Sequence, residues 1–159
     1  MQAQPEKARQ FGVKALNRAL DGVFGATAIH LCFGYAALVH ERPSGYSFLP
    51  ELGECPVQQI SIETAQSSLD CSVLSKLPGK TIILGVLDLS THEVETPEIV
   101  AGRIRRALLF VRPERLIVAP DCGLKSLPRN VAFEKIKAMV EGAKLVRSKI
   151  DMGPAVAQA

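Results

Sequence analysis

The 159-residue chain is 47% hydrophobic and 22% charged, a composition that folds around a core and excludes a disordered polymer. Its formal charge of +3 comes from 19 basic and 16 acidic residues scattered along the chain, without the basic stripe that nucleic-acid binding needs, so no nucleic-acid partner is expected. No stretch approaches the ~20 apolar residues of a membrane span and no signal-like run follows Met1, which predicts a soluble cytoplasmic protein without a membrane partner, its four cysteines reduced.

From residue 5 to about 21, Val13, Leu16, Leu20 and then Val23 recur at helical spacing among Lys and Arg, which predicts an amphipathic helix ended by Gly22 and Gly25. Residues 26–34 (ATAIHLCFG) and 57–64 (VQQISIET) read as strands, the second alternating Ile60 and Ile62 with Ser61 and Glu63. Between them lies a loop-rich insert with His40, Arg42-Pro43-Ser44-Gly45 and a single helical turn near residues 49–53. A short helix is expected over residues 67–77, closed by Pro78-Gly79. The most hydrophobic run, residues 81–87 (TIILGVL), fits a strand buried on both faces.

The next helix is marked at both ends. Thr96 caps it, Pro97 suits its first turn, and Arg112-Pro113 stops it, while Ile99, Val100, Ile104, Ala107, Leu108 and Val111 form its apolar face. Residues 116–120 are a fourth strand, and Asn130 caps a last helix with Phe133, Ile136, Val140, Ala143 and Val146 as its stripe. One leading helix and four strand-plus-helix units call for an α/β fold with a parallel sheet and right-handed crossovers. Four units are half of a (β/α)₈ barrel, which usually takes ~250 residues, and composition does not choose between an open sheet and part of a barrel.

The residues with chemistry gather at predicted strand ends. His30-x-Cys32, Glu63 and Asp121-Cys122-Gly123 each fall at the C-terminal end of a strand, where α/β folds carry their sites. Residues two apart on a strand face the same way, so His30 and Cys32 can converge on one ion, and imidazole, thiolate and carboxylate are all zinc ligands. The plainer reading of each is a small buried cysteine, a hydrogen-bonded core histidine and a surface glutamate.

At these three segments the sequence resembles the cobalamin-independent methionine synthases, whose barrel is similar to that of uroporphyrinogen decarboxylase, over about residues 26–147. The resemblance implies a (β/α)₈ TIM-barrel-like fold of which only about the last four βα units are present. It implies a partial C-terminal, zinc-binding half-barrel over residues 1–150, while the small residues that follow predict a disordered tail over residues 151–159. In that family a strand ending His-x-Cys, a strand reading Ile-Ser/Thr-Ile-Glu and a Pro-Asp-Cys-Gly-Leu-Lys segment supply the zinc ligands. The matching positions are His30 and Cys32, Glu63, and Cys122. The implied activity is S-methyl transfer in methionine biosynthesis, from a methyltetrahydropteroyl-glutamate donor to homocysteine. Zinc with two thiolates and one carboxylate carries a net charge of about −1, so a substrate thiolate added to it stays nucleophilic.

Asp121 and His92 are the candidate catalytic residues, Asp121 by orienting a ligand and His92 by replacing a family histidine. The family strand matching residues 81–88 continues Asp-Ile-His, whereas this chain reads Asp88-Leu89-Ser90-Thr91-His92. That departure, with the family's substrate-binding Asp-Glu-Pro segment unmatched, keeps two alternatives open. One is a catalytically silent zinc-binding remnant. The other is a subunit of another zinc thiol-alkyl transferase or demethylase, such as the epoxide–coenzyme M type, completed by an N-terminal half-barrel partner or by a second copy. Cys55 and Cys71 match no ligand of the family and are expected to be buried.

Overall fold

Four short segments rich in β-branched residues make one parallel sheet in the computed structural model, which describes residues 5–34, 45–46 and 48–151. The strands are β1 (Ala28–Leu31), β2 (Gln59–Ile62), β3 (Thr81–Gly85) and β4 (Leu116–Ala119), and their spatial order is their chain order. The helices are α1 (Pro5–Leu20), α2 (Leu49–Gly53), α3 (Pro97–Leu108) and α4 (Arg129–Asp151). Sequential parallel strands with right-handed crossovers put every connection on one face of the sheet. Ile60, Ile62, Ile82 and Leu84 point to that face and are buried.

The other face is the one that matters for chemistry. In-register pairing aligns His30 with Ser61, Ser61 with Ile83, and Ile83 with Ile117, a row crossing all four strands on the side away from the helices. In a closed barrel this side is the interior. Here His30 and Ile117 are exposed.

Thr96 caps α3 as its sequence predicts, its hydroxyl accepting from Ile99 N at 3.3 Å with Pro97 in the first turn. Three local readings change. The expected helix over residues 67–77 is a 3₁₀ turn, Cys71–Lys76, because Ser68 has φ 49° and Asp70 spends its carboxylate on Ser72 N (3.0 Å) and Ser72 Oγ (2.5 Å). A left-handed residue stops an α-helix from running through it. The last helix starts at Arg129, with Ala132 N donating to Pro128 O, so Asn130 lies inside the first turn and does not cap it.

The third change is the packing of α4. Phe133, Ile136 and Val140 from the predicted stripe are exposed, while Lys135, Ala138 and Val146 are buried. Gly142 explains the rotation: a Cβ there would come within 2.7 Å of Pro97 O and of the Val100 side chain, so α4 lies against α3 through this glycine. Close approach at Gly142 brings one flank of α4 inward and turns the larger apolar side chains out. Asp151 belongs to α4, and residues 152–159, like His40 and residues 42–44 of the insert, lie outside the described residues. Among the described residues no helix is long and apolar enough to cross a membrane.

Candidate metal centre

The observed strands are shorter than their sequence readings, and this places the reactive groups at and just past their C-terminal ends. His30 is still within β1, Cys32 follows it, Glu63 is the first residue after β2, and Asp121 and Cys122 follow β4. Strand ends in parallel sheets leave the ladder there, which frees side chains to converge.

Cys32 Sγ and Cys122 Sγ are 3.7 Å apart, though 90 residues separate them in sequence. One ligand atom of each of His30, Cys32 and Cys122 lies within 4.8 Å of the others. Two sulfurs bound at ~2.3 Å to one tetrahedral zinc are about 3.8 Å apart, so the observed sulfur spacing fits a shared zinc ion. His30 Nδ1 is 2.8 Å from Ser61 Oγ, the hydroxyl facing it across the β1–β2 register. That bond occupies one ring nitrogen and leaves Nε2 for a ligand.

Glu63 stands beside this trio. It is fully buried, its Oε2 accepts from Phe33 N at 3.2 Å, and its Oε1 has no hydrogen-bond partner. A buried carboxylate oxygen without a donor is costly, and a cation is the usual remedy. The Cys32 thiol carries the same imbalance. Although Cys32 as a whole is exposed, desolvation beside the protein wall pushes its thiol up to about 12; Gly34 N, donating to Sγ at 3.1 Å, opposes this, while the Glu63 carboxylate and Cys122 reinforce it. A site that gathers sulfur and carboxylate donors around a thiol whose ionisation burial disfavours is electrostatically complementary to a divalent cation.

The wall is aromatic. Tyr46 stacks on Phe33 with ring centroids 4.3 Å apart and donates its hydroxyl to Leu31 O at 3.2 Å. Burial, with the Glu63 and Asp121 carboxylates, pushes its phenol well above the usual range, so it stays protonated and holds the end of β1.

The remaining sequence candidates are placed apart from the three-donor group. Asp121 is buried and turns its carboxylate to the backbone of residues 64–66. Burial raises its pKa to about 6; the amides of Gln66 and Ala65 oppose this, and Glu63 adds to it. His92 is exposed in the loop after β3. At Ser90, the position where the resembling family has histidine, the hydroxyl donates to Asp88 Oδ1 at 2.6 Å. Cys55 and Cys71 are buried and unpaired with each other, as expected.

Two contributors escaped the sequence reading. Ser61 was visible only as an alternating polar residue, because its partnership with His30 depends on strand register. Lys135 sits in a helix rich in charge, where a lysine ordinarily reaches water. Here it is fully buried, its ammonium donating to Asp88 O (2.9 Å), Glu93 O (2.5 Å) and Glu95 Oε2 (2.9 Å). Glu95 Oε1 in turn accepts from Asp88 N (2.7 Å) and Arg103 (3.0 Å), and this network pins the loop that carries Asp88, Ser90 and His92.

Parallel βα units whose strand ends collect two thiols, an imidazole and a buried carboxylate define an α/β-barrel type of protein with a metal-type site in the usual barrel position. Residues 18–145 match the catalytic domain of the cobalamin-independent synthases, and the chain belongs to that family. It is 36% identical over 140 residues to a methionine synthase of Thermococcus kodakarensis, an alignment covering 87% of this chain and 39% of the relative. A methionine synthase of Saccharolobus islandicus is 38% identical over 143 residues, covering 88% and 40%. Among solved structures, a B12-independent methionine synthase from Shewanella sp. W3-18-1 in complex with selenomethionine superposes with a TM-score of 0.85 at 29% identity, over 92% of this chain and 46% of that one. The fold is thus TIM-barrel-like, with four parallel strands among the described residues, and the chain spans about two fifths of the length of the curated relatives it matches.

Proposed function

We propose that this chain is the zinc-holding half of a thiol methyl- or alkyltransferase barrel, with His30, Cys32, Glu63 and Cys122 as the ligands and residues 1–150 as the half-barrel. The observation that carries the reading is the 3.7 Å approach of Cys32 and Cys122 sulfurs from opposite edges of the sheet, with His30 in the same group. Zinc supplies, when bound, a positive charge that favours the thiolate form of a sulfur ligand at neutral pH. The chain's own residues do the rest. Ser61 orients the His30 ring, the Gly34 amide takes part of the charge on Cys32, and buried Glu63 keeps the donor set anionic, which favours a nucleophilic substrate sulfur over an electrophilic hydrolytic centre.

Family membership supports homocysteine as the thiol and a methyltetrahydropteroyl-glutamate as the donor. The relatives carry more than half their length outside the matched region, and that length supports a barrel closed by further βα units, from a covalently linked segment or a separate partner. A cytoplasmic compartment belongs to the same reading. A zinc-binding chain that is catalytically silent alone is the second reading, favoured by Ser90 in place of histidine and by the exposure of His92.

Metal analysis tests the central claim. Purified protein is expected to hold about one zinc per chain, and Cys32→Ser or Cys122→Ser to lose most of it. Zinc-edge absorption should gain a sulfur ligand on addition of homocysteine. Metal content unchanged in both variants would defeat the assignment.

A further inference from the structure

Asp121 stands past the end of β4, and β3 separates that strand from β2. Its carboxylate nevertheless reaches the chain beyond β2: Oδ1 accepts from Thr64 N at 3.4 Å and from Ala65 N at 3.2 Å, and Oδ2 accepts from Gln66 N at 2.7 Å. The path exists because the last residue of β3 is Gly85. A Cβ at Gly85 would lie 2.7 Å from Asp121 Cα and would overlap Asp121 Oδ1, so any side chain there would close the crossing. Thr64 strengthens the same junction by donating its hydroxyl to Gly85 O at 2.7 Å. Asp121 and Thr64 are buried, so these bonds are shielded from competing water.

The two ends of this crossing adjoin two candidate ligands. Asp121 precedes Cys122, and the amides it binds begin immediately after Glu63. The Glu63 carboxylate itself is held by one amide hydrogen bond to Oε2 and by the Cys32 thiol beside it. We propose that Asp121 is a positioning residue, a brace through the Gly85 notch that sets Glu63 and Cys122, from non-adjacent strands, at the separation a common cation requires. It rests on the zinc reading above, and it assigns Asp121 neither metal ligation nor proton transfer, because both carboxylate oxygens are engaged by backbone amides.

A double-mutant cycle on the 159-residue chain separates this from a general structural role. Zinc affinity is measured by competition with a chromophoric chelator for the wild type, Asp121→Asn, Glu63→Gln and the double variant, with amide hydrogen exchange confirming that each metal-free chain is folded. Removing an outer partner of a metal ligand typically weakens binding about 10–100-fold. Asp121→Asn should show such a loss when Glu63 is present and a clearly smaller one beside Glu63→Gln, because the part of the brace that acts through Glu63 is then gone and only its hold on Cys122 remains. Equal losses in both backgrounds overturn the brace while leaving the zinc reading intact. Zinc affinity untouched by Glu63→Gln overturns the four-ligand reading, and this inference with it. If Asp121→Asn fails to fold, the wild-type chain still decides. The amides of Ala65 and Gln66 should exchange as slowly as strand amides, and exchange at open-loop rates overturns the brace.

Discussion

At the scale of single residues, the hydroxyl of Ser61 is the least obvious contributor. Its 2.8 Å contact with His30 Nδ1 selects the ring nitrogen that remains for a ligand. Ser61→Ala is therefore expected to weaken zinc binding about 10–100-fold, whereas Ser61→Thr, which keeps the hydroxyl, should restore most of it. Chelator competition reads both, and equal affinity in Ser61→Ala and wild type would show that His30 is oriented by other means. The His-x-Cys, ISIE and PDCG segments were each legible as strand-end chemistry because alternation along a strand is a local property. The Ser61–His30 pairing was not, since it depends on which residue of β2 faces β1.

At the scale of elements, the loop after β3 is held by charges that a helix-by-helix reading assigns to solvent. Lys135 of α4 and Arg103 of α3 meet on Glu95, with the Lys135 and Glu95 side chains almost wholly buried. Removing the carboxylate leaves a buried ammonium without its counter-charge, so Glu95→Ala should cost about 3–5 kcal/mol in denaturant unfolding. Burial alone would raise the Glu95 pKa, but hydrogen bonds from Lys135, the Asp88 amide and Arg103 outweigh it and hold the carboxyl below the usual carboxylate range. A depressed folded pKa means that the stabilisation is present above the unfolded carboxylate pKa and is lost as pH falls from there through the folded value. Unfolding midpoints measured across that acid window should drop more steeply for the wild type than for Glu95→Gln. Parallel pH profiles for the two would contradict the assignment.

At the scale of the whole molecule, β1 and β4 are the two edge strands of the sheet, with no further strand paired to either among the described residues. Ile117, Phe133, Ile136 and Val140 expose apolar surface on the β4 side. Closing such edges is what the rest of a barrel does. The isolated chain should therefore associate at micromolar concentration and bind homocysteine without measurable methyl transfer. Orientation of two substrates supplies ~7–11 kcal/mol of a bimolecular barrier, and half a barrel lacks the walls to provide it. Static light scattering and a methionine-formation assay check this. A monodisperse monomer that turns over efficiently would mean that these four βα units carry the donor site as well.

By itself the sequence determined the order of the strands and of the helices apart from the segment at residues 67–77, the cap of α3 at Thr96, and the three segments that bear the candidate ligands, because each is written in spacing over a few residues. The meeting of Cys32 and Cys122 followed from the family resemblance and not from local spacing, while tertiary structure alone decided that α4 turns Lys135 inward at the Gly142 contact and that Asp121 reaches residues 64–66 past Gly85. The reason is that local pattern sets which way a side chain leaves its own backbone. What it then encounters depends on which strand lies between and how closely two helices approach, and those distances belong to the packed sheet as a whole.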